Sequence, residues 1–334
     1  MDIVKKLFIL LNIFFFVILF CSSNASAAWP ERPIRIIVAF PAGGGADTFI
    51  RYIAPLLEKE LGQKIIINNI PGAYGGTGTA YVWDAPHDGY TWSSLGESHT
   101  SIVVVTGSKI IAKDWHYAIA GGGPSVLAVN KSSGINNLNE FITAAESTTG
   151  VTVATANTTG LLSIEQLKRV KPSNIKGIPY SGGAPAKLAC ASGETQGVLL
   201  PLGEYYDYIQ AGDFIPIVVI TQDEDLILGD LKIPPLVSVI PQWKSSNLLF
   251  FQGIMLPVDT PTEILEKFDA AFTKAMQTPE IDSFIRQQFW KRFAITGKEA
   301  TDLIVNQERV SSWLMQDLGM AQYSPQNLGI EKPE

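Results

Sequence analysis

Cysteine is scarce in this chain. Only Cys21 and Cys190 occur among 334 residues, so no disulfide framework is predicted. There is no His-Glu-x-x-His motif and no closely spaced cysteine pair, which disfavours the common zinc sites, and no metal site is predicted. Stability must come from the burial of apolar side chains, which a chain of this length can provide as two domains.

Positive charge is also in short supply. Lys and Arg number 25 against 32 Asp and Glu, which gives a formal net charge of −7 at pH 7. Nucleic acid and anionic lipid attract basic surfaces, so this balance disfavours both, and no nucleic-acid partner is predicted.

Long apolar runs are missing except at the N-terminus. There, Lys5 and Lys6 precede an apolar run from Leu7 to Phe20, and Ala25-Ser26-Ala27 follows with small residues at the positions of a cleavage site. The run is shorter than the roughly 20 residues of a comfortable membrane span. The sequence therefore predicts a signal peptide over residues 1–27 and a periplasmic or otherwise extracytoplasmic protein.

Two alternatives at the N-terminus stay open. An uncleaved membrane anchor would keep the apolar run, and a lipoprotein would begin at Cys21. Lipidation at Cys21 is disfavoured because the residues before it, Leu19 and Phe20, are bulky where a small residue is usual.

Short apolar segments alternate with amphipathic ones along the rest of the chain. Most of the apolar segments are rich in Val and Ile, as in buried parallel sheets, and the alternation predicts an α/β fold with mostly parallel sheets flanked by helices. The predicted strands are 34–40, 64–69, 90–95, 125–129, 151–155, 175–179, 196–200, 214–221 and 248–256.

Helix signals lie between the predicted strands. Asp47 begins one helix, in which Pro55 should produce a kink. Thr260, Pro261 and Glu263 have the spacing of an N-cap, a first-turn proline and a capping-box glutamate. A final helix is predicted over about 298–318.

Two glycine-rich loops follow predicted strands. Pro41-Ala42-Gly43-Gly44-Gly45-Ala46-Asp47 comes after the first strand, and Ser181-Gly182-Gly183-Ala184 follows the strand at 175–179. Each loop leads into a helix and contains no Lys or Arg. Such loops can direct backbone N–H groups and a helix N-terminus at an anion, so two of them suggest a ligand held between two lobes.

Further segments accompany the first glycine-rich loop, which lies in the block from Trp29 to Asp47. They are Ala54-Pro55-Leu56, Leu61-Gly62-Gln63, Asn69-Ile70-Pro71-Gly72-Ala73, Ala85-Pro86-His87-Asp88-Gly89-Tyr90-Thr91, Pro179-Tyr180-Ser181-Gly182-Gly183-Ala184-Pro185-Ala186 and Leu256-Pro257-Val258-Asp259-Thr260-Pro261. Together with the N-terminal block, which carries most of the likeness, they strongly resemble the substrate-binding proteins of the tripartite tricarboxylate transporters, the Bug family.

The resemblance implies a two-lobe type II periplasmic binding protein. Such a protein captures a small carboxylic acid or amino-acid-like solute and delivers it to the membrane permease subunits of the transporter, and we expect a monomer without a cofactor. Gly121-Gly122-Gly123-Pro124 and the irregular stretch from Pro234 to Asn247 suggest the two crossings between lobes. The expected lobes are therefore 28–120 plus 248–334, and 121–247.

The loop after the strand at 90–95 departs from the family pattern, which has small uncharged residues there. This chain has Gly96-Glu97-Ser98-His99-Thr100. Because a carboxylate would repel a carboxylate ligand, Glu97 either turns to solvent, as charged loop residues mostly do, or pairs with a cationic group of the ligand. The candidate ligand-binding residues are Pro41, Gly43, Gly44, Gly45, Ala46, Asp47, Glu97, Ser98, Thr158, Thr159, Ser181, Gly182, Gly183 and Ala184.

Two other functional classes were weighed. A secreted hydrolase would use Ser98 in a nucleophile elbow, but the final glycine of G-x-S-x-G is missing and no catalytic residue is predicted. A sensor or interaction protein of the same fold, without a transport role, is the other alternative. Gly72-Ala73-Tyr74-Gly75-Gly76-Thr77-Gly78 does not fit the dinucleotide fingerprint, and no P-loop is present.

Overall fold

The computed structural model describes residues 29–156, 158–221, 223–243 and 250–333. The predicted signal peptide, 1–27, lies outside these residues. Among the helices that are described, none combines the length and the apolar character needed to cross a membrane.

The first sheet has six strands in the order β13-β4-β12-β3-β1-β2. Strands β1, β2 and β3 are parallel, whereas β12 and β13 run antiparallel to their neighbours. Its strands are β1 (Ile34–Val38), β2 (Ile65–Asn69), β3 (Thr91–Gly96), β4 (Trp115–Gly122), β12 (Gln252–Pro257) and β13 (Lys291–Thr296).

The second sheet has five strands in the order β7-β6-β8-β5-β9. Strands β6, β7 and β8 are parallel, and β5 runs antiparallel to β8 and β9. Its strands are β5 (Ser125–Asn130), β6 (Val151–Thr155), β7 (Ile175–Pro179), β8 (Gly197–Pro201) and β9 (Phe214–Val219), and a separate hairpin joins β10 (Leu226–Leu228) to β11 (Leu231–Ile233).

Helices cover the sheets. The helices that belong to the lobe of the first sheet are α1 (Gly45–Leu61), α2 (Gly76–Trp83), α3 (Ile102–Thr106), α8 (Thr262–Ala275), α9 (Pro279–Gln287) and α10 (Gly297–Leu318). Those that belong to the lobe of the second sheet are α4 (Leu138–Glu146), α5 (Thr158–Val170), α6 (Gly183–Ala191) and α7 (Tyr206–Ala211).

Each sheet has its own apolar core. In the first, Phe49 and Ile53 of α1 and Phe268 and Phe272 of α8 are fully buried in one cluster with strand residues such as Ile36. In the second, Phe141 of α4 is buried with Val153, Leu199 and Ile217 of the strands. Burial of this extent stabilises each sheet by about 25 cal/mol for every Å² of apolar surface removed from water.

The predicted α/β class with two lobes, each a sheet flanked by helices, is confirmed. Most strands of each sheet run in one direction, and the reversed strands are β12 and β13 in the first sheet and β5 in the second, where the chain crosses between the sheets or returns. The crossing after β4 lies between Gly122 and Ser125, and the return lies between β9 and β12. The exact lobe boundaries stay a prediction.

The nine predicted strands all correspond to strands in the described residues, within a few positions. Strands β4, β10, β11 and β13 were not predicted. The sequence of β4, Trp-His-Tyr-Ala-Ile-Ala-Gly-Gly, lacks a Val/Ile run although it is almost wholly buried, and β13 is a partly exposed edge strand.

Two helix details differ from expectation. Helix α8 begins at Thr262 with Pro261 as its N-cap, and the Thr260 hydroxyl is buried without a hydrogen-bond partner, so the predicted Thr260 cap is wrong. Helix α1 begins at Gly45, two residues before Asp47, and continues through Pro55. The final helix, α10, is confirmed over Gly297–Leu318.

Candidate functional site

The ends of two sets of parallel strands form the site. The carboxyl ends of β1, β2 and β3 lie together at one edge of the first sheet, and those of β6, β7 and β8 at one edge of the second. Open α/β sheets bind ligands beyond such strand ends. The loops that follow these strands therefore meet between the sheets.

The two glycine-rich loops contact each other directly. A methyl carbon placed on Gly182 would lie 3.0 Å from Pro41 Cδ, and one on Gly44 would lie 3.8 Å from Gly183 N. A methyl carbon placed on Gly43, which has φ +79°, would lie 3.9 Å from Ala184 Cβ. The N-termini of α1 and α6 thus converge from opposite lobes.

Asp47 holds the first loop in shape. Its carboxylate accepts hydrogen bonds from the Gly43 N–H at 2.9 Å, from Arg51 Nε at 2.9 Å and from Asn69 Nδ2 at 2.9 Å. Burial raises the pKa of Asp47, but the hydrogen bonds from Arg51, Gly43 and Asn69 outweigh it and hold the pKa below its ordinary value. With these partners, the carboxylate supports the turn that leads into α1.

Glu204 carries the carboxylate that lies between the two loops. The Gly45 N–H donates a hydrogen bond to it. A methyl carbon would lie 2.6 Å from Glu204 Oε1 if placed on Gly45 and 1.6 Å from Oε2 if placed on Gly183. The protein's own carboxylate therefore occupies the position beside two helix N-termini where the sequence predicted a ligand anion.

Sequence reasoning missed Glu204. The residue follows β8, whose carboxyl end lies beside that of β6, and this position after a parallel strand is the one sequence signal that points to it. Burial raises the pKa of Glu204 to about 7, although Lys187 and the Gly45 N–H act in the opposite direction. Lys187 Nζ donates to the backbone carbonyl of Glu204 at 3.0 Å.

A cavity of about 40 Å³ lies behind Glu204, between the lobes. Phe40 and Phe250 give it apolar walls, and Glu97, Gln252 and Glu204 give it polar ones. The other residues around it are Gly44, Gly45, Ala46, Gly96, Ser98, Ala156, Gly182 and Gly183.

Glu97 is buried at this cavity, with an exposed fraction of 5%, so the solvent-facing alternative is wrong. Among the residues that the structure describes, none forms a hydrogen bond with its Oε1 or with Oε1 of Gln252. Burial raises the pKa of Glu97 to about 8, and the charge of Glu204 adds to the shift.

The turn after β3 offers no catalytic arrangement. His99 is buried, and its Nδ1 contacts the backbone of Gly96 at 3.0 Å from the nitrogen and 2.9 Å from the oxygen. Burial lowers the pKa of His99 to about 4, which keeps the ring neutral. Ser98 lines the interlobe cavity.

Thr158 and Thr159 lie elsewhere than expected. Both are buried, and neither is among the residues around the cavity of Glu97. The Ser101 hydroxyl, which follows β3, donates to Thr158 Oγ1 at 2.9 Å and so joins the two lobes.

Two larger cavities flank the central one. One of about 450 Å³ contacts Gly43, Gly45, Lys187 and Glu204, and one of about 240 Å³ contacts Phe40, Tyr74, Tyr180 and Ser181. Glu204 separates the first of these from the central cavity. Contact with a ligand stays a prediction for all fourteen candidate residues.

No cluster of three His, Cys, Asp or Glu side chains within the described part of the chain could hold a metal ion. The remaining described cysteine, Cys190, is buried, and burial raises the pKa of its thiol to about 12.

Comparison with known proteins identifies the relatives. The profile of the tripartite tricarboxylate transporter family receptor matches residues 49–320, and that family consists of receptors rather than enzymes. A UPF0065 protein of Bordetella bronchiseptica is 28% identical over 266 residues, which cover 76% of each chain. Protein BugT of Bordetella pertussis is 24% identical over 264 residues, which cover 76% of this chain and 79% of BugT.

Solved structures share the fold. MatC from Rhodopseudomonas palustris, solved with bound malate, superposes with a TM-score of 0.73 at 22% identity and covers 86% of this chain and 99% of its own. A second protein of the same organism, solved with adipate, gives a TM-score of 0.73 at 21% identity, covering 88% and 99%. The fold is therefore that of a periplasmic solute-binding protein.

Proposed function

Since the chain belongs to the tripartite tricarboxylate transporter family receptors, we propose that it is an extracytoplasmic solute-binding protein that captures a small carboxylate-containing solute between its two lobes. The observation that carries the proposal is the meeting of the two glycine-rich loops, one from each lobe, beside a cavity lined by Glu97 and Glu204. Malate and adipate in two solved relatives support the size and class of the solute.

Capture requires a movement of the lobes. The two glycine-rich loops contact each other across the lobes, so a solute that is to lie between them enters when the lobes separate. The crossings that would act as the hinge lie after β4 and between β9 and β12. Lobes of 28–120 plus 248–334, and 121–247, fit these crossings.

A thermal-shift screen tests solute capture. A solute that binds the native protein stabilises it by mass action and so raises its melting temperature. At a free solute concentration of 100 times Kd, the gain in stability is about 2.7 kcal/mol. We expect at least one small carboxylate or amino acid to raise the melting temperature in a dose-dependent way. If no member of a broad panel does so, capture is contradicted.

Delivery to a permease and export complete the proposal. Uptake of the captured solute should be lost in cells that lack this chain and should return when the chain is supplied. If the chain binds its solute but its loss leaves uptake unchanged, a sensor of the same fold is favoured.

N-terminal sequencing of the exported product should find Ala28 first, and retention of the apolar run would contradict cleavage.

A further inference from the structure

The interlobe cavity is rich in buried hydrogen-bond acceptors that lack donors. Within the described part of the chain, Oε1 of Glu97 and Oε1 of Gln252 are both buried without a hydrogen-bond partner, and the two residues are 5% and 4% exposed. Glu204 adds a carboxylate to the same cavity. Buried acceptors without donors cost free energy, so the arrangement is incomplete without a donor group.

We propose that this cavity binds the ammonium group of an amino-acid-like solute, with Glu97, Gln252 and Glu204 as its three acceptors. A primary ammonium group carries three N–H donors, which matches the three acceptor side chains around the cavity. The inference rests on the proposed solute-binding function and names the chemical class of its solute.

The charges around the cavity favour a cation. Glu97 and Glu204 approach it from different lobes and repel each other, and the nearby cation Lys187 hydrogen-bonds the Glu204 backbone carbonyl. A positive group between the two carboxylates would remove this repulsion, whereas an added carboxylate would increase it.

The place for an anion is already filled. The Gly45 N–H donates to Glu204, and the Glu204 oxygens lie so close to Gly45 and Gly183 that a methyl group on either would overlap them. A ligand carboxylate could reach these N–H groups only by displacing Glu204. The site therefore disfavours a simple dicarboxylate, and the carboxylate of the solute must lie outside this position.

Matched solutes separate this inference from the proposed function. We would titrate the exported form of the protein by calorimetry at pH 8 with glutamate against glutarate, aspartate against succinate, and 4-aminobutyrate against butyrate. The inference expects at least one amine-bearing member to bind at least 10-fold more tightly than its partner. Equal or tighter binding of glutarate, succinate or butyrate overturns the inference but leaves solute capture intact, and no binding by any of the six overturns the inference while the broader screen decides capture.

Isosteric variants test the named acceptors. Glu97→Gln and Glu204→Gln should each weaken the amine-bearing solute at least 10-fold, while Glu266→Gln, an exposed glutamate of α8, should bind it like the wild type. Gly183→Ala forces the Glu204 carboxylate away while it keeps the charge and suits a helical position, so it should weaken the same solute. Melting temperatures check that the variants fold, and wild-type affinity in both folded glutamine variants overturns the assignment.

Discussion

Glu97 and Glu204 enter one cavity from opposite lobes, and their burial gives both an unusually high pKa, about 8 and about 7. A glutamate whose pKa is raised by folding binds more protons in the folded state than in the unfolded chain at pH values between its unfolded and folded pKa. Stability then falls as the pH rises through this interval. The cavity without its solute is therefore a source of instability at neutral and alkaline pH.

The first prediction uses this dependence. Between pH 6.5 and 8, the free energy of unfolding of the wild type should fall as the pH rises. One proton bound only in the folded state changes this free energy by about 1.4 kcal/mol per pH unit, so Glu97→Gln should reduce the fall by an amount on the order of 2 kcal/mol. His99, whose pKa burial lowers to about 4, adds a slope of opposite sign that fades above pH 6.5 and is the same in both proteins. Glu204 and Glu308, each with a pKa raised to about 7 by burial, contribute to the fall in both proteins.

Urea unfolding at a series of pH values measures this difference, with Glu266→Gln as a control that should follow the wild-type curve. If the Glu97→Gln and wild-type stabilities stay parallel from pH 6.5 to 8, Glu97 is ionised in the folded protein and the predicted dependence is wrong.

At the scale of single elements, the sequence predicts the fold well where a local pattern reports it. Strands β6 and β7 appear at the predicted residues because a Val/Ile-rich or apolar segment between turn signals suffices to identify them. Strand β4 was missed because its burial is decided by its neighbours β12 and β13, not by its own composition.

The candidate site likewise contains residues that a local motif identifies and residues that only the fold brings together. The glycine-rich loops were identified because their composition is distinctive, and the structure brings them into contact. Glu204 and Gln252 were missed because neither belongs to a motif, and their place at the cavity depends on how two lobes come together. Thr158 and Thr159 are both buried, and Thr158 accepts a hydrogen bond from Ser101 of the other lobe, a long-range contact that no local pattern reports.

The second prediction concerns the packing of α2 on the first sheet. A methyl carbon on Gly78 would lie 2.8 Å from Ala39 Cα and 2.8 Å from the Ile70 carbonyl oxygen, both backbone atoms that cannot retreat. Gly78→Ala should therefore destabilise the protein by about 1–3 kcal/mol, in spite of the higher helix propensity of alanine.

Gly76→Ala on the same helix is the matched control. Its nearest neighbours are side-chain ends, with Ile102 Cδ1 at 3.2 Å, so the change should be close to neutral. Denaturant unfolding of both variants measures the difference. Similar stabilities for the two would mean that α2 can shift away from the sheet.

At the scale of the whole molecule, two discontinuous segments of the chain build the first sheet and one continuous segment builds the second. The described contacts between lobes include the two glycine-rich loops and the hydrogen bond between Ser101 and Thr158. Both contacts belong to the arrangement in which the lobes are closed. Solute binding and lobe closure should therefore be thermodynamically coupled, so that a change that disfavours closure also weakens binding.

The last prediction tests this coupling through Ser101 and Thr158. If their hydrogen bond exists only in the closed form, its loss lowers solute affinity without a change at the cavity. Ser101→Ala and Thr158→Val should each weaken the solute by about 2- to 12-fold, since a hydrogen bond contributes about 0.5–1.5 kcal/mol. The double variant should be little worse than Ser101→Ala, which removes the bond to Thr158 together with the Ser101 contact to the Ser98 carbonyl oxygen. Thr143→Ala, whose hydroxyl bonds only within α4 to Asn139 O, is the control and should bind like the wild type. Calorimetric titration with whichever solute gives the largest thermal shift measures all four proteins. Additive losses in the double variant, or unchanged affinity in both single variants, would show that this bond persists when the lobes open.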